Sequence, residues 1–328
     1  VTAVAVIAGG VGAARFLAGL VEVVDPSGIT AIVNVADDLE LHGLSISPDL
    51  DTITYTLAGA IDPERGWGLA GETWAAMDEL GSLGGPSWFS LGDRDLATHL
   101  YRTGRLRSGA TLTEVTAELT AARSLRLTVL PATDDEWRTR VTVSTAAGEH
   151  SSDTTHQHTE EISFQEYFVG RRHAVPVRNV RFAGDPTPAP GVLEALEAAE
   201  VIVIAPSNPI VSIEPVLAIP GIREAVAARR DQVVAVSPIV AGAALKGPAD
   251  RMLAELGHEP TVMGVARLYA SFAATLVVDD ADDALAPAVE ALGVRCVVCP
   301  TVMHGPSEAA TLARAVLEAA AVDPGRRR

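Results

Sequence analysis

The sequence predicts an α/β protein: a doubly wound, mostly parallel sheet that carries an antiparallel β insertion. Three observations predict it. Short β-branched runs alternate with Ala/Leu-rich stretches of helical spacing at both ends of the chain. The first run ends in a glycine turn that opens a helix. Between about residues 126 and 183 the pattern switches to β-rich segments joined by polar connectors. The chain therefore divides into residues 1–125, an insertion at 126–183, and a second half of the α/β unit at 184–328.

Thr2–Ala8 and Ile29–Val35 read as strands, with helical Ala13–Val24 between them, so the sheet begins as a parallel β-α-β unit. Ala36–Asp51 is polar and turn-rich, and loops of that length inside compact domains are usually functional or disordered. Asp51–Ala60, Gly71–Leu80, Asp93–Arg102 and Thr111–Arg123 follow as helices. In the insertion, Thr139–Thr145, Glu161–Val169 and Val177–Phe182 read as strands, and Ala146–Glu160 as a polar hairpin tip. Beyond it, Gly191–Ala199, Ala281–Leu292 and Ser307–Ala321 are helical. Val201–Ile204, Gln232–Val236, Ala274–Val278 and Val294–Val298 are strands.

The 328 residues carry a formal net charge of −17, with no basic footprint beyond the terminal Arg326–Arg328. This speaks against nucleic-acid binding, so any anion must be held locally. No apolar run is long enough to span a membrane, and the N-terminal segment reads as strand, turn and helix rather than as a signal peptide. Two cysteines, Cys296 and Cys299, rule out a disulfide framework and suggest a reducing, cytoplasmic setting. Three residues apart on a strand, they point to opposite faces and read as buried small hydrophobes. His150, His156 and His158 in the polar tip lack a fixed scaffold for zinc. A dimer is the expectation for a soluble enzyme of this size.

The chemistry concentrates at strand ends, where ligands of doubly wound sheets bind. Gly9, Gly10 and Gly12, followed by Arg15, let a backbone approach a phosphate at a helix N-terminus; tight strand–helix packing is the bland alternative. Arg15 stands where a dinucleotide fingerprint needs its third glycine. Asp37, Asp38, Asp49 and Asp51 gather around the second strand end and suit a hard cation such as magnesium. Asp49 could instead cap a helix starting near Asp51. Trp67 and Trp88 lie in glycine-bearing loops, where an aromatic can stack on a flat heterocycle or cover the core. Arg94 and Arg102 are candidate anion contacts. His99, one turn after Asp95, is a candidate base or an exposed helical histidine. Asp134-Asp135 reads as turn chemistry. Ser207-Asn208-Pro209, Ser237 and the single lysine, Lys246, could reach a nucleotide from later strand ends.

Taken in order, several segments resemble the 2-phospho-L-lactate transferases and their bacterial phosphoenolpyruvate-transferring relatives. They are GGVGAARFLAGL (9–20), NVADDLELHGLSISPDLDTITYTL (34–57), ERGWG (64–68), WFSLGDRDLATHLYRT (88–103), LPATDD (130–135), FQEYFV (164–169), APSNPIVSIEPVLAIPGIR (205–223) and VSPIVAGAALKGPADRML (236–253). The resemblance implies a Rossmann-like core and magnesium dependence. Its two substrates would be the deazaflavin Fo and a guanosine diphosphate carrying a three-carbon acid, joined in the making of coenzyme F-420. It places Fo contacts at Asp51 and Arg94, with Thr52, Trp67 and His99 nearby. The glycine turn and Ser207-Asn208-Pro209 match its nucleotide side; within the acidic cluster, Asp37 and Asp51 are the expected catalytic residues. The arginine-rich composition favours enolpyruvate over lactate in the donor. A nicotinamide-dependent dehydrogenase and a non-catalytic nucleotide-binding protein are the alternatives. The first predicts NAD(P) binding without magnesium, the second nucleotide binding without turnover.

Overall fold

The computed structural model describes residues 2–145 and 159–321. Most of the polar tip, with His150, His156 and His158, and the terminal arginines lie outside the described residues. We label the strands of the central sheet β1 (Val4–Ala8), β2 (Ile29–Val33), β3 (Thr128–Pro131), β4 (Val201–Ile204), β5 (Val233–Val236), β6 (Thr275–Val278) and β7 (Arg295–Val298). Their order is β7-β6-β5-β4-β1-β2-β3, and every neighbouring pair is parallel. The chain winds outward from β1 in one direction and returns to β4 on its other side. The crevice between the ends of β1 and β4 is therefore the topological switch point.

The strands form because their runs of Val, Ile and Ala can be buried on both faces. Alternation sends Ala5, Ile7, Ile202 and Ile204 into one core and Val4, Val6, Val201 and Val203 into the other. Helix α1 (Val11–Leu20) and the closing helix (Pro306–Ala321) share the second core through Phe16, Leu17, Leu312 and Val316. Cys296 packs on the first core and Cys299 on the second, as opposite-face positions require.

Several boundaries differ from the sequence reading. Thr128–Pro131, expected at the head of the insertion, is an edge strand paired with β2; Pro131 is tolerated because no strand needs its missing N–H. Residues 36–51 are not an open loop: Leu39–Leu41 and Leu44–Ile46 form a small hairpin. Helix α2 (Pro48–Leu57) starts three residues early because Pro48 suits the first helical position. Ser47 is therefore the N-cap residue, which removes the capping role considered for Asp49. Helix α3 (Asp95–Arg107) runs five residues past the expected end. Residues 71–74 precede rather than begin the helix Ala75–Ser82. The insertion is a three-stranded antiparallel sheet of Trp137–Ser144, Thr159–Ser163 and Val177–Gly184, with the first in the middle. The strand expected over Glu161–Val169 stops at Ser163. Glu166–Gly170 winds into a π-helical turn that buries Tyr167 against Val141, Val143, Val211 and Met252. The insertion is thereby packed onto the element that follows β4.

Candidate active site

At the switch point the glycine turn is tightly enclosed by protein. A Cβ built on Gly12 would stand 2.0 Å from the carbonyl oxygen of Pro206, so the turns after β1 and β4 touch through backbone. A Cβ on Gly10 would lie 2.7 Å from Asp49 Oδ1. Strand–helix packing therefore explains Gly12. The contact at Gly10 joins the turn to the carboxylates. The second turn carries the Ser207 hydroxyl, buried with no hydrogen-bond partner among the described residues. Asn208 is spent on a local turn, its side chain accepting from Ile210 N–H at 2.9 Å, and opens the segment Pro209–Ile213. Ser237 is likewise buried and bonded to Ile239 of its own turn.

Asn34, just past β2, organises the acidic cluster. Its Nδ2 donates to Asp37 Oδ2 at 3.1 Å and to Asp49 Oδ2 at 3.0 Å. Its Oδ1 accepts from Ala36 N–H. One neutral amide thus bridges two carboxylates and neutralises neither. Burial, and then the Asp49 charge, push the Asp37 carboxyl well above its ordinary range. Burial raises Asp49 to about 6 against the pull of the Asn34 bond. Asp38, whose Oδ2 accepts from Ser47 Oγ at 2.6 Å, is raised to about 7 by burial. Among the described residues, Oδ1 of both Asp37 and Asp38 is buried without a hydrogen bond of good geometry, although the Thr139 hydroxyl lies close enough to favour the Asp37 charge.

Two residues beyond Asp49, Asp51 meets the opposite environment. Arg102, itself buried, grips both oxygens: Nη1 donates to Oδ2 at 3.1 Å and Nη2 to Oδ1. Behind Arg102 stand His99, Asp95 and Tyr55. His99 Nδ1 is 3.3 Å from Arg102 Nη1, and its Nε2 faces Asp95 Oδ2 at 3.4 Å. The Tyr55 hydroxyl donates to Asp95 Oδ1. Burial would raise the Asp95 carboxyl, but His99 and Tyr55 outweigh it and hold it below its usual range. Neither the exposed-histidine reading of His99 nor the anion-contact reading of Arg102 fits: both are 1 % exposed. A groove of about 230 Å³ opens beside this network, lined by Asp38, Ser45, Ser47, Leu106 and Arg138. A larger hollow of about 360 Å³ lies around Arg138, Arg140 and Asp185 and contains none of the expected site residues.

The family model for 2-phospho-L-lactate transferase CofD matches residues 4–286. A phosphoenolpyruvate transferase of Kitasatospora aureofaciens is 45% identical over 316 residues, covering 95% of each chain. One from Mycolicibacterium smegmatis is 40% identical over 336 residues, covering 97% of this chain and 99% of its own. The chain belongs to the CofD family. It is a transferase acting on phosphate-containing groups. A UPF0052 protein of Bacillus halodurans shares the fold at a TM-score of 0.60 and 19% identity, over 96% of this chain and 98% of its own.

In this CofD-family enzyme the remaining expected residues lie on α2, at the start of α3 and on loops. Thr52 is buried at the start of the second turn of α2. Arg94 is exposed at the N-terminal end of α3; its backbone N–H is held by Glu72 at 2.7 Å and its guanidinium by the Ala70 carbonyl. Trp67 and Trp88 are 41 % and 36 % exposed, and Trp67 is steadied by Arg65, which lies over both it and Trp74. Lys246 Nζ comes to 2.8 Å from a Cβ built on Gly66. Desolvation and then the charge of Arg15 lower its pKa.

A hard cation fits this site. The buried Oδ1 atoms of Asp37 and Asp38, which make no hydrogen bond among the described residues, and the Asp49 carboxylate are suitable oxygen donors; Arg138 and then Arg102 favour the charge of Asp38, while only hydrogen bonds favour those of Asp37 and Asp49. Asp51 differs from that expected set because its oxygens already accept from Arg102. Asp51, Asp95 and His99 do bring possible ligand atoms within 4.8 Å of one another, but the Arg102 guanidinium already supplies the positive charge there. Sequence reasoning missed Asn34, Tyr55 and Asp95 as parts of the site. The spacing of Asp95, His99 and Arg102 on one helix face was the available signal.

Proposed function

We propose that this enzyme transfers a phosphoenolpyruvyl group from a guanosine diphosphate donor to the deazaflavin Fo, as a step of coenzyme F-420 biosynthesis. The observation that carries this reading is the uncompensated carboxylate pair, Asp37 and Asp49, set against the glycine turn at the switch point. A metal-linked diphosphate would be at home there. The relatives named phosphoenolpyruvate transferase, 40–45% identical over nearly the whole chain, support enolpyruvate over lactate. The partners on this reading are two small molecules, and a cytoplasmic homodimer is the form in which we expect the enzyme to act.

The terminal ribityl hydroxyl of Fo attacks the distal phosphorus. The new bond joins that oxygen to phosphorus, the bond to the bridging oxygen breaks, and GMP leaves with it. Asp51, its orientation fixed by Arg102, accepts the hydrogen bond of the attacking hydroxyl, directs it in line and takes its proton as the new bond forms. Arg15, Lys246 and the free N–H groups of α1 bind the diphosphate. Trp67 and Arg94 flank the deazaflavin. Asp37 and Asp49, with Asp38, would hold magnesium, which supplies charge neutralisation on the phosphates when bound.

The test is GMP release from the synthetic enolpyruvyl donor with Fo and magnesium, beside a fluorescence titration of Fo. Turnover that needs all three components supports the reading. Absence of Fo binding under every combination of GDP and magnesium sinks it. Asp51→Asn with near-normal turnover at saturating magnesium would remove Asp51 from its role.

A further inference from the structure

Asp51 is not held by its own helix alone. Its carboxylate is gripped from the facing helix α3 by a forked guanidinium, and its side chain is 9 % exposed while that of Arg102 is 2 % exposed. A bidentate pair of this kind fixes an oxygen pair in a plane and still leaves a lone pair on each oxygen. The fork itself is fixed. Arg102 Nη1 also reaches the Ser45 carbonyl at 3.4 Å and His99 Nδ1 at 3.3 Å. A guanidinium can only donate, so in the neutral tautomer that accepts from Arg102 the His99 proton sits on Nε2. That nitrogen lies 3.4 Å from Asp95 Oδ2, a close contact rather than a hydrogen bond of good geometry, while Nδ1 also lies 3.7 Å from Asp51 Oδ2. Asp95 is anchored in turn by the Tyr55 hydroxyl and by its own N–H, which donates to Glu72 at 2.8 Å. Thr103 Oγ1 donates to the His99 carbonyl at 2.6 Å and accepts from Ser45 N–H at 2.8 Å, tying the strand Leu44–Ile46 to the same turn of α3.

We propose that Arg102, backed by His99, Asp95 and Tyr55, is a positioning relay that holds the Asp51 carboxylate in the one orientation that aligns the acceptor hydroxyl. The inference rests on the assignment of Asp51 above. The relay residues touch no substrate. They act through Asp51, and their effect is confined to steps that Asp51 performs. A simple brace between α2 and α3 would need no chain of three further polar residues reaching from Asp51 to Tyr55 on one helix and from Arg102 to Asp95 on the other. An apolar pair would tie the helices as well, without the desolvation that buried charges require.

The experiment is a double-mutant cycle on the full chain. Active-site concentration is counted by stoichiometric Fo binding, so that loss of folded enzyme does not register as loss of rate. Arg102→Lys keeps the charge and loses the fork. It is expected to lower kcat by about 10²-fold, the penalty typical of a misplaced reacting group. The KM for the guanosine diphosphate donor should stay within about threefold of wild type. In an Asp51→Asn background the same substitution should add less than about threefold, because its only route to the reaction is gone. His99→Asn, which keeps an acceptor for Arg102 but loses the link to Asp95, repeats the test with a smaller loss, about 10-fold, equally absorbed by Asp51→Asn. It carries the test alone if Arg102→Lys does not fold. Losses that multiply with that of Asp51→Asn, or an unchanged kcat per active site, overturn the relay. Wild-type enzyme without turnover of Fo overturns the functional reading itself and the relay with it.

Discussion

Asp49 and Asp51 stand in the same first turn of α2, two residues apart, and live in opposite electrostatic worlds. Asp49 shares the Asn34 amide with Asp37 and has no ion pair among the described residues. Asp51 has Arg102. A helix turn of 3.6 residues sends positions i and i+2 to different sides, so one helix start can face two sites. The side toward β1 and β2 keeps negative charge uncompensated, which suits a cation that arrives with substrate. The side toward α3 supplies its own counter-charge, which suits a carboxylate that must keep one orientation in every turnover. Acidic residues clustered in a sequence are therefore not one site by default.

The largest expected effect breaks the compensated side. Arg102→Met leaves the Asp51 charge buried and unpaired. It should lower unfolding free energy by about 3–5 kcal/mol, read from a denaturant midpoint. Asp37→Asn should do the reverse to stability. It removes one of two neighbouring buried charges, so the metal-free protein should melt at an equal or higher temperature. Turnover should nevertheless fall by about 10²-fold or more at saturating magnesium. A variant that lost both stability and activity would show that Asp37 is compensated by something other than a metal.

The two sides should also answer pH with opposite signs. The folded-state pKa of Asp37, Asp38 and Asp49 is raised, to about 7 for Asp38 and about 6 for Asp49. The stability linked to these groups is fully present below the ordinary carboxylate pKa of about 4 and is lost as pH rises through 6 to 7. Asp95 is held below its usual value, so its contribution is present above that value and lost as pH falls through the lower folded pKa. Metal-free protein should thus melt at a lower temperature at pH 8 than at pH 5.5, and magnesium should flatten that slope. A melting temperature that rises across this window would contradict the picture of an uncompensated cluster.

The fold was largely legible because its strands are buried on both faces and read as apolar runs, which leave little choice of element. The exceptions have local causes. Thr128–Pro131 carries a proline and reads as a turn until β2 supplies a partner. Glu166–Gly170 is aromatic-rich and resembles a strand until the packing of Tyr167 curls it. At the site, residue types that imply a ligand could be named from sequence: Gly10, Asp37 and Asp49 do converge. The pairing of Asp51 with Arg102, 51 positions away, could not, because it depends on how α3 docks on α2. Charge alone made Arg102 resemble a substrate contact, and only its burial showed that its anion is internal.

A third acidic pair sharpens the comparison with the smallest effect. Asp134 Oδ1 accepts from Thr113 N–H at 2.7 Å and from Thr113 Oγ1 at 2.8 Å, while Asp135 ties down Thr187 through N–H and hydroxyl. These carboxylates satisfy backbone donors, including one at the start of the helix Leu112–Ala122, and so need neither metal nor arginine. Asp134→Ala should cost about 1 kcal/mol of stability, as the loss of a helix-end acceptor does, and leave turnover unchanged. Its urea midpoint and kcat measured together decide the matter. A normal midpoint with a lowered kcat would move the substrate path into the groove beside Asp134, where Arg138 and Ser47 also lie.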